Sequence, residues 1–432
     1  MLDIQFIRDN PDLVQEKSAQ KGYEVNIKEF LVIDKKRREL QTSVEAIRQQ
    51  RNDLASSVQG QSPTTENIDH SKKLKQELLT AEEMLKELDS KYIVLLKSIP
   101  NIPLDDVPVG SSEEQNKVVK KVGEPFEYDF TPKNHWEIKE DGSVIDKVRA
   151  AKVAGSRFVY LKGDMVQVQF AIIQWVMGLL ADEKFIEKLI QDNNLSLVAK
   201  PFTPVLPPAL VNTKAYDATT RLDAEEVTYK MADDEMWLNA SAEHSLANMY
   251  MDEIIPEASL PIRYIGYTTA FRREAGSYGK DTEGMIRLHQ FDKLEMEIFS
   301  TPETGLDEHK LMIAIEEYLV SALGLPYQLL EKCTADIGKP NARGIDIEIW
   351  FPGQSKYRET HSADYMTDYQ ARSLRTRLRR ANNEVVFVHT NDATAFALSR
   401  LLAAIMENFQ TKDGHIIIPE VIRPYLAGKT EI

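Results

Sequence analysis

Two runs of residues spaced alternately four and three apart limit what the first hundred positions can fold into. The first is Ile33, Arg37, Leu40, Val44, Ile47, Arg51, Leu54 and Val58. The second is Leu74, Leu78, Ala81, Leu85, Leu88, Tyr92, Leu95 and Ile99. Such spacing is a heptad seam, a single stripe along one helix face, and a helix bearing it must bury that stripe against a partner. Between the runs lies Gly60-Gln-Ser-Pro-Thr-Thr65, which breaks the helix and is short enough to favour a reversal. The pattern therefore predicts an antiparallel two-helix coiled coil over about 30–99, an arm roughly 40 Å long at 1.5 Å per residue. Ahead of it, Asn10 and Pro11 read as the cap and first position of another helix that carries Leu13 and Val14.

Residues 100–115 are rich in Pro, acid and Ser and read as a linker. The pattern then changes. Val166 to Leu180 is an apolar helix that extends through Ile190. Leu294-Glu-Met-Glu-Ile298 and Ile345-Asp-Ile-Glu-Ile349 alternate with period two, as half-buried strands with a solvated acidic face do. Val385 to Val388 reads as a strand before an apolar helix from about Ala393 to Phe409. Strands and helices do not alternate regularly, so the expected class is α+β rather than a doubly wound sheet. The arm belongs to a domain over 1–105, and 106–432 forms a second.

Composition excludes several classes. The single cysteine, Cys333, rules out an internal disulfide framework and a multi-cysteine zinc site, so no zinc is expected. No window approaches ~18 uncharged apolar residues, and the opening MLDIQFIRDN has no secretory pattern, so a cytoplasmic protein without a membrane partner is expected. The formal charge of -15 argues at first against a nucleic-acid partner. The first hundred residues, however, hold 16 Lys+Arg against 17 Asp+Glu, so the acidity lies almost wholly beyond them.

The segment Phe271-Arg-Arg-Glu-Ala-Gly-Ser-Tyr-Gly-Lys-Asp-Thr-Glu-Gly284 joins two apolar stretches and reads as a long hairpin loop with arginine at its base, where a guanidinium can clamp a phosphate. His289-Gln-Phe291 follows it. There is no Walker A pattern, and no Gly-x-Ser-x-Gly element offers an acyl nucleophile.

In combination these segments resemble bacterial-type seryl-tRNA synthetases, which are class II aminoacyl-tRNA synthetases. The opening MLDIQFIRDNPD and the arm resemble the family's tRNA-binding domain. His135-Trp136-Glu137 and Arg149-Ala-Ala-Lys-Val-Ala-Gly-Ser-Arg-Phe158 resemble the stretch that opens its catalytic domain, which has a mainly antiparallel sheet flanked by helices. The helix before Phe202-Thr-Pro-Val-Leu-Pro-Pro208 resembles motif 1, Phe271 to Phe291 motif 2, and Asn391 to Arg400 motif 3.

The resemblance implies the following roles. Arg272 would hold the ATP α-phosphate and the serine carboxylate, Glu274 the adenine amino group, and Phe291 would stack on adenine. Arg400 would lie near the γ-phosphate. Glu359 and Ser362 would help hold ATP and Mg²⁺. Ser241, Glu243, Glu295 and Thr394 would contact serine. Lys35, Lys36, Arg38, Lys72 and Lys73 would meet phosphates of the long variable arm of tRNA(Ser), although interleaved acids such as Glu39 and Glu77 fit a merely solvated surface equally well. The basic run from Arg372 to Arg380 fits either structural ion pairs or reception of the tRNA acceptor end. A homodimer is expected. Ser241 stands where the family has Thr, and Thr360-His361-Ser362-Ala363-Asp364 where many members have Ile-Ser-Ser-Cys-Ser. Competing readings are a class II ligase for another small amino acid and a non-catalytic tRNA-binding paralogue. The first would need a further domain beyond Arg400, and the second predicts loss of Arg272, Glu274, Phe291, Glu359 and Arg400, all of which are present.

Overall fold

The structure, a computed structural model, describes all residues except 60, 61, 63, 140, 221–227 and 275–282. It divides into two compact units, Met1–Ile102 and Pro103–Ile432.

The first unit opens with short helices over Ile4–Asp9 and Pro11–Gln20. Two long ones follow, α1 (Ile27–Ser57) and α2 (Thr65–Ser98). Each starts on a side-chain cap: Asn26 accepts from Glu29 N at 3.0 Å, and Thr64 from Asn67 N at 3.2 Å. The helices run antiparallel. Phe30 stacks on Tyr92 at 5.3 Å, Arg37 pairs with Asp89, and Arg48 pairs with Glu82 at 2.7 Å. Val44, Leu78 and Ala81 form the buried seam, with Leu40, Ile47 and Leu85 packed beside it.

Of the two arginines in the heptad run, Arg37 spans the seam, its guanidinium 4.7 Å from the Tyr92 ring centre, while Arg51 is exposed. One feature lies outside the heptad pattern. Asp34 is 1% exposed and takes both oxygens to Arg8 at 2.9 Å, with Arg38 at 3.2 Å. No periodicity within α1 reveals it, because Arg8 belongs to a different helix.

The second unit is built on eight strands: β1 (Lys117–Val122), β2 (Thr203–Val205), β3 (Ile262–Phe271), β4 (Gln290–Ser300), β5 (Tyr327–Glu331), β6 (Arg343–Phe351), β7 (Lys356–Thr367) and β8 (His389–Ala397). Their order is β1-β5-β6-β7-β8-β4-β3-β2, antiparallel throughout except for β2 beside β3. Helices α3 (Lys147–Ala154), α4 (Asp164–Leu180), α5 (Glu183–Asp192), α6 (Gly305–Ala322) and α7 (Leu398–Asn408) complete the frame.

Residues directly opposite in a ladder share a face. One row across the sheet is Ile265, Met296, Ala393, Ala363 and Ile345, all buried. This face meets Ile172 and Val176 of α4, Leu311 and Ile315 of α6, and Leu401 and Ile405 of α7 in one core. The next row, on the other face, is Tyr264, Glu297, Asp392, Asp364 and Gly344. The sheet thus has an apolar face and a charged face.

The structure differs from three of the expectations. The carboxylates of β4 are not solvated: Glu295 and Glu297 are 1% and 0% exposed, because the chain folds over the charged face as well. The apolar helix does not run through to Ile190. It ends at Leu180, and α5 leaves at 73°, started by the Asp182 side chain capping Lys184 N at 3.0 Å. Residues 393–397 are strand rather than helix, since β8 lies in the middle of the sheet, where its ladder bonds outweigh local helix preference. Among the described residues no single helix is long and apolar enough to cross a membrane.

Buried charge ties helix to sheet. Arg263 on β3 holds Glu308 on α6 through two bonds of 2.9 and 2.8 Å, both side chains fully enclosed. Further along α6, Glu316 is also fully enclosed, but no hydrogen-bond partner reaches either carboxylate oxygen. Burial raises its pKa well above the carboxylate range, and Asp346 and Glu295 add to the effect. Its unfolded form ionises at the ordinary value, so the folded state loses stability as pH rises above about 4.3. Glu316→Leu should raise the unfolding free energy in urea by about 2 kcal/mol more at pH 7 than at pH 4; equal gains over the parent chain at the two pH values would exclude a protonated Glu316.

Candidate active site

The hairpin of β3 and β4 is in register from Ile262 opposite Phe299 to Phe271 opposite Gln290. This places Arg272 at the end of β3 and Phe291 at the start of β4, the guanidinium carbon 5.3 Å from the ring centre. Arg272 Nε donates to Ala240 O at 3.2 Å, and Arg272 N to His289 O at 2.9 Å. Glu274 sits just beyond, at positive φ, and pairs with Arg287 at 3.2 Å. Residues 275–282 of the hairpin loop, including Gly276, Ser277 and Gly279, lie outside the described residues.

Two segments singled out in the sequence brace this hairpin. Arg157 O accepts from His289 N at 3.0 Å, and Arg157 donates to Glu274 O at 3.3 Å. His135 is buried between Glu407 (2.7 Å) and Met285 N (2.9 Å). Gly284 leaves the room it needs, since a Cβ there would stand 2.0 Å from His135 Nε2.

Arg272, Glu274, Phe291, Glu359, Thr394 and Arg400 line one cleft. Arg400, at the start of α7, donates to Glu359 Oε1 at 3.0 Å and to Glu359 O at 2.9 Å. Desolvation in the cleft opposes ionisation of Glu359, but Arg400, Lys332 and Arg272 more than offset it and hold its pKa below the usual value. Ser362 is two strand positions beyond Thr360 on β7. It lines an adjoining cavity of about 550 Å³ that shares Glu359.

Lys293 and Thr394 line the cleft as well, and behind them lies a buried polar cluster. Ser241 donates to Glu295 Oε2 at 3.2 Å, Lys293 donates to Ser241 Oγ at 3.2 Å, and Lys293 also pairs with Glu295. Burial raises the pKa of Glu295, Lys293 opposes the rise, and Glu243 adds to it. Thr394 is opposite Glu295 across β8 and β4.

Sequence reasoning missed two contributors. Lys293 supplies the charge that lets Glu295 stay buried beside the cleft, and Asp392 brings a third carboxylate. One oxygen each of Glu243, Glu295 and Asp392 lies within 4.8 Å of the others. The available signal was the alternation Asp392, Thr394 along a strand, hidden by reading that segment as helix. An all-carboxylate set suits an ammonium group or a hard cation rather than zinc.

The remaining expected residues are on the arm. Lys35, Lys72 and Lys73 are mostly exposed, each 3.7–3.9 Å from an acid on its own helix, and Lys36 is exposed as well. Arg38 is half exposed and committed to Asp34. In the basic run, Arg372, Arg375 and Arg380 make ion pairs with Asp368, Asp252, Glu257 and Glu303.

An antiparallel sheet with an arginine-based hairpin, a second arginine opening the helix after the central strand, and a separate helical-arm unit define a class II aminoacyl-tRNA synthetase core. The family model described as tRNA synthetase class II core domain (G, H, P, S and T) matches residues 227–409, and the seryl-tRNA synthetase N-terminal domain matches 1–103. The serine--tRNA ligase of Thermodesulfovibrio yellowstonii is 39% identical over 99% of both chains, and that of an Exiguobacterium species 38% identical over 100% of this chain and 99% of its own. A seryl-tRNA synthetase from Pyrococcus horikoshii complexed with ATP superposes with a TM-score of 0.86 at 34% identity, covering 100% of this chain and 99% of the other. The chain belongs to the serine--tRNA ligase family.

Two buried histidines of the second unit carry a pH signature. His309 on α6 donates from Nε2 to Ala363 O at 3.0 Å and accepts at Nδ1 from Arg343 at 3.2 Å, which fixes a neutral tautomer. Burial lowers its pKa to about 4 and that of His361 to about 3. The unfolded chain takes up these protons first, below about pH 6.5, so this contribution to stability falls as pH drops from there towards 4. His309→Gln should therefore lose less stability than the parent chain between pH 7 and pH 5 in urea unfolding; parallel curves would contradict a neutral His309.

Proposed function

We propose that the chain activates serine with ATP and transfers it to the 3′ end of tRNA(Ser). The observation that carries this reading is one cleft lined by Arg272 and Arg400, with a buried carboxylate cluster next to the Lys293 and Thr394 that line it. Activation is in-line attack of the serine carboxylate on the α-phosphorus of ATP, with pyrophosphate leaving. Charge gathers on phosphate oxygens, so positioning and fixed positive charge do most of the work. The carboxylate is already ionised, and no general base is needed.

Arg272 bridges the α-phosphate and the serine carboxylate, and Phe291 stacks on adenine beneath it. Glu274 accepts from the adenine amino group. Arg400 faces the γ-phosphate. Mg²⁺ arriving with ATP would supply further positive charge, and Glu359, half exposed on the cleft rim, is the carboxylate suited to it. Ser362 stands at the same rim, but its hydroxyl already accepts a bond from Lys332 at 2.8 Å.

Serine's ammonium is received by Glu243 and Glu295, with Asp392 near, and its hydroxyl by Thr394 and Glu295. Ser241 and Lys293 hold Glu295 in place. An analogue without the hydroxyl would leave these buried groups unpaired, a far larger penalty than a missing methylene. Lys35, Lys36, Lys72 and Lys73 meet backbone phosphates of the variable arm, where shape rather than base identity is read. Arg38 contributes less, being held by Asp34. The protein works in the cytoplasm as a homodimer.

Serine-dependent ATP–pyrophosphate exchange across all amino acids tests the assignment; exchange with threonine alone, or with none, would overturn it. Arg272→Ala should lower exchange by at least about 10²-fold, the scale of losing one charge-stabilising donor. Replacing Lys35, Lys36, Lys72 and Lys73 by Gln should leave exchange intact and weaken tRNA charging, with a shallower salt dependence of tRNA affinity; an unchanged salt slope would remove the arm from tRNA recognition.

A further inference from the structure

Lys332 lies immediately after β5 and is not among the residues used above to bind substrate. Its backbone N donates to Gly344 O at 3.1 Å, and its side chain then crosses β6 at that glycine. A Cβ on Gly344 would stand 2.3 Å from Lys332 Cε and 2.6 Å from Asp364 Oδ1, so a side chain at this position would push the lysine off its present path. The ammonium ends between β6 and β7, 3.1 Å from Asp346, 3.0 Å from Asp364 and 2.8 Å from Ser362 Oγ. Its side chain is 8% exposed.

An ammonium has donors and no acceptor, so Ser362 Oγ is the acceptor in this bond. Ser362 stands directly opposite Asp346 across the β6–β7 ladder. A divalent ion on Ser362 Oγ, at about 2.1 Å, would stand no more than about 5 Å from an enclosed ammonium. Two positive centres that close in a poorly solvated site repel strongly. Ser362 therefore does not fit the part of a metal ligand that its place in the family pattern implies, whereas Glu359 does.

We propose that Lys332 is a positioning residue: a built-in cation, threaded over Gly344, that takes the place of a divalent ion beside Ser362 and fixes that hydroxyl as a strut for the phosphate end of the cleft. The inference rests on the ATP-dependent reading above. Of the two groups that the family pattern implies for ATP-borne Mg²⁺, it leaves Glu359.

The test counts ions on the full-length chain. Mn²⁺ binding is followed by electron paramagnetic resonance with serine and a non-hydrolysable ATP analogue, alongside Mg²⁺ titration of pyrophosphate exchange. Lys332→Met combined with Asp364→Ser removes one charge of each sign. Gly344→Ala keeps every charge and displaces the lysine. Both variants should bind one more Mn²⁺ per chain than the wild type. The Mg²⁺ needed for half-maximal exchange should rise about tenfold, the scale of losing a group that orients a ligand. If the double variant does not fold, Gly344→Ala carries the test. Ion counts and Mg²⁺ curves equal to the wild type would overturn the role of Lys332 and leave the ATP-dependent reading standing. Absence of serine-dependent exchange in the wild type would remove that reading instead.

Discussion

A carboxylate cannot stay ionised out of water without a cation beside it, and the second unit is arranged around that requirement. Lys293 lies against Glu295, Lys332 against Asp346 and Asp364, Arg400 against Glu359, and Arg263 against Glu308. Lys332 ties the end of β5 to β6 and β7, Arg400 ties α7 to β7, and Arg263 ties β3 to α6, while Lys293 neutralises Glu295 within β4. Glu316 is the contrast: enclosed without a partner, it takes a proton instead.

Register turns these pairs into a site. Ladder partners place Thr394 opposite Glu295 and Asp346 opposite Ser362, and the next row sets Glu297, Asp392 and Asp364 side by side. A slip of one residue in β4 or β8 would turn these groups into the apolar core and bring Met296 or Ala393 to the cleft. The tightly packed opposite face, Ile265 through Ile345 under α4, α6 and α7, is what forbids the slip. The proposed chemistry of the charged face thus depends on the packing of the apolar one.

The arm was legible in unusual detail because a two-helix coiled coil is specified by local periodicity alone. Val44, Leu78 and Ala81 are buried where the 4/3 spacing put them. Asp34 was not, since its counter-ion Arg8 is distant in sequence. The segment with Arg272, Glu274 and Phe291 was legible through its resemblance to a known motif, and the structure brings these residues into one cleft with Glu359 and Arg400. The alternation in Leu294 to Ile298 correctly marked a strand but misjudged its polar face. Period-two patterning separates two faces without saying whether the polar one meets water or enclosed counter-charge.

The sequence by itself determined the α+β class, the coiled-coil arm and the family, and it put forward the candidate site residues, because helix stripes, strand alternation and short motifs are all local signals. Only the tertiary structure decided which charges are enclosed and by what they are balanced. Lys332 reaches Ser362 across an intervening strand through the gap at Gly344, and Asp392 joins Glu243 and Glu295 from elements far apart in the chain. Such contacts depend on strand order and register, which are set by the collective packing of the sheet rather than by any one segment.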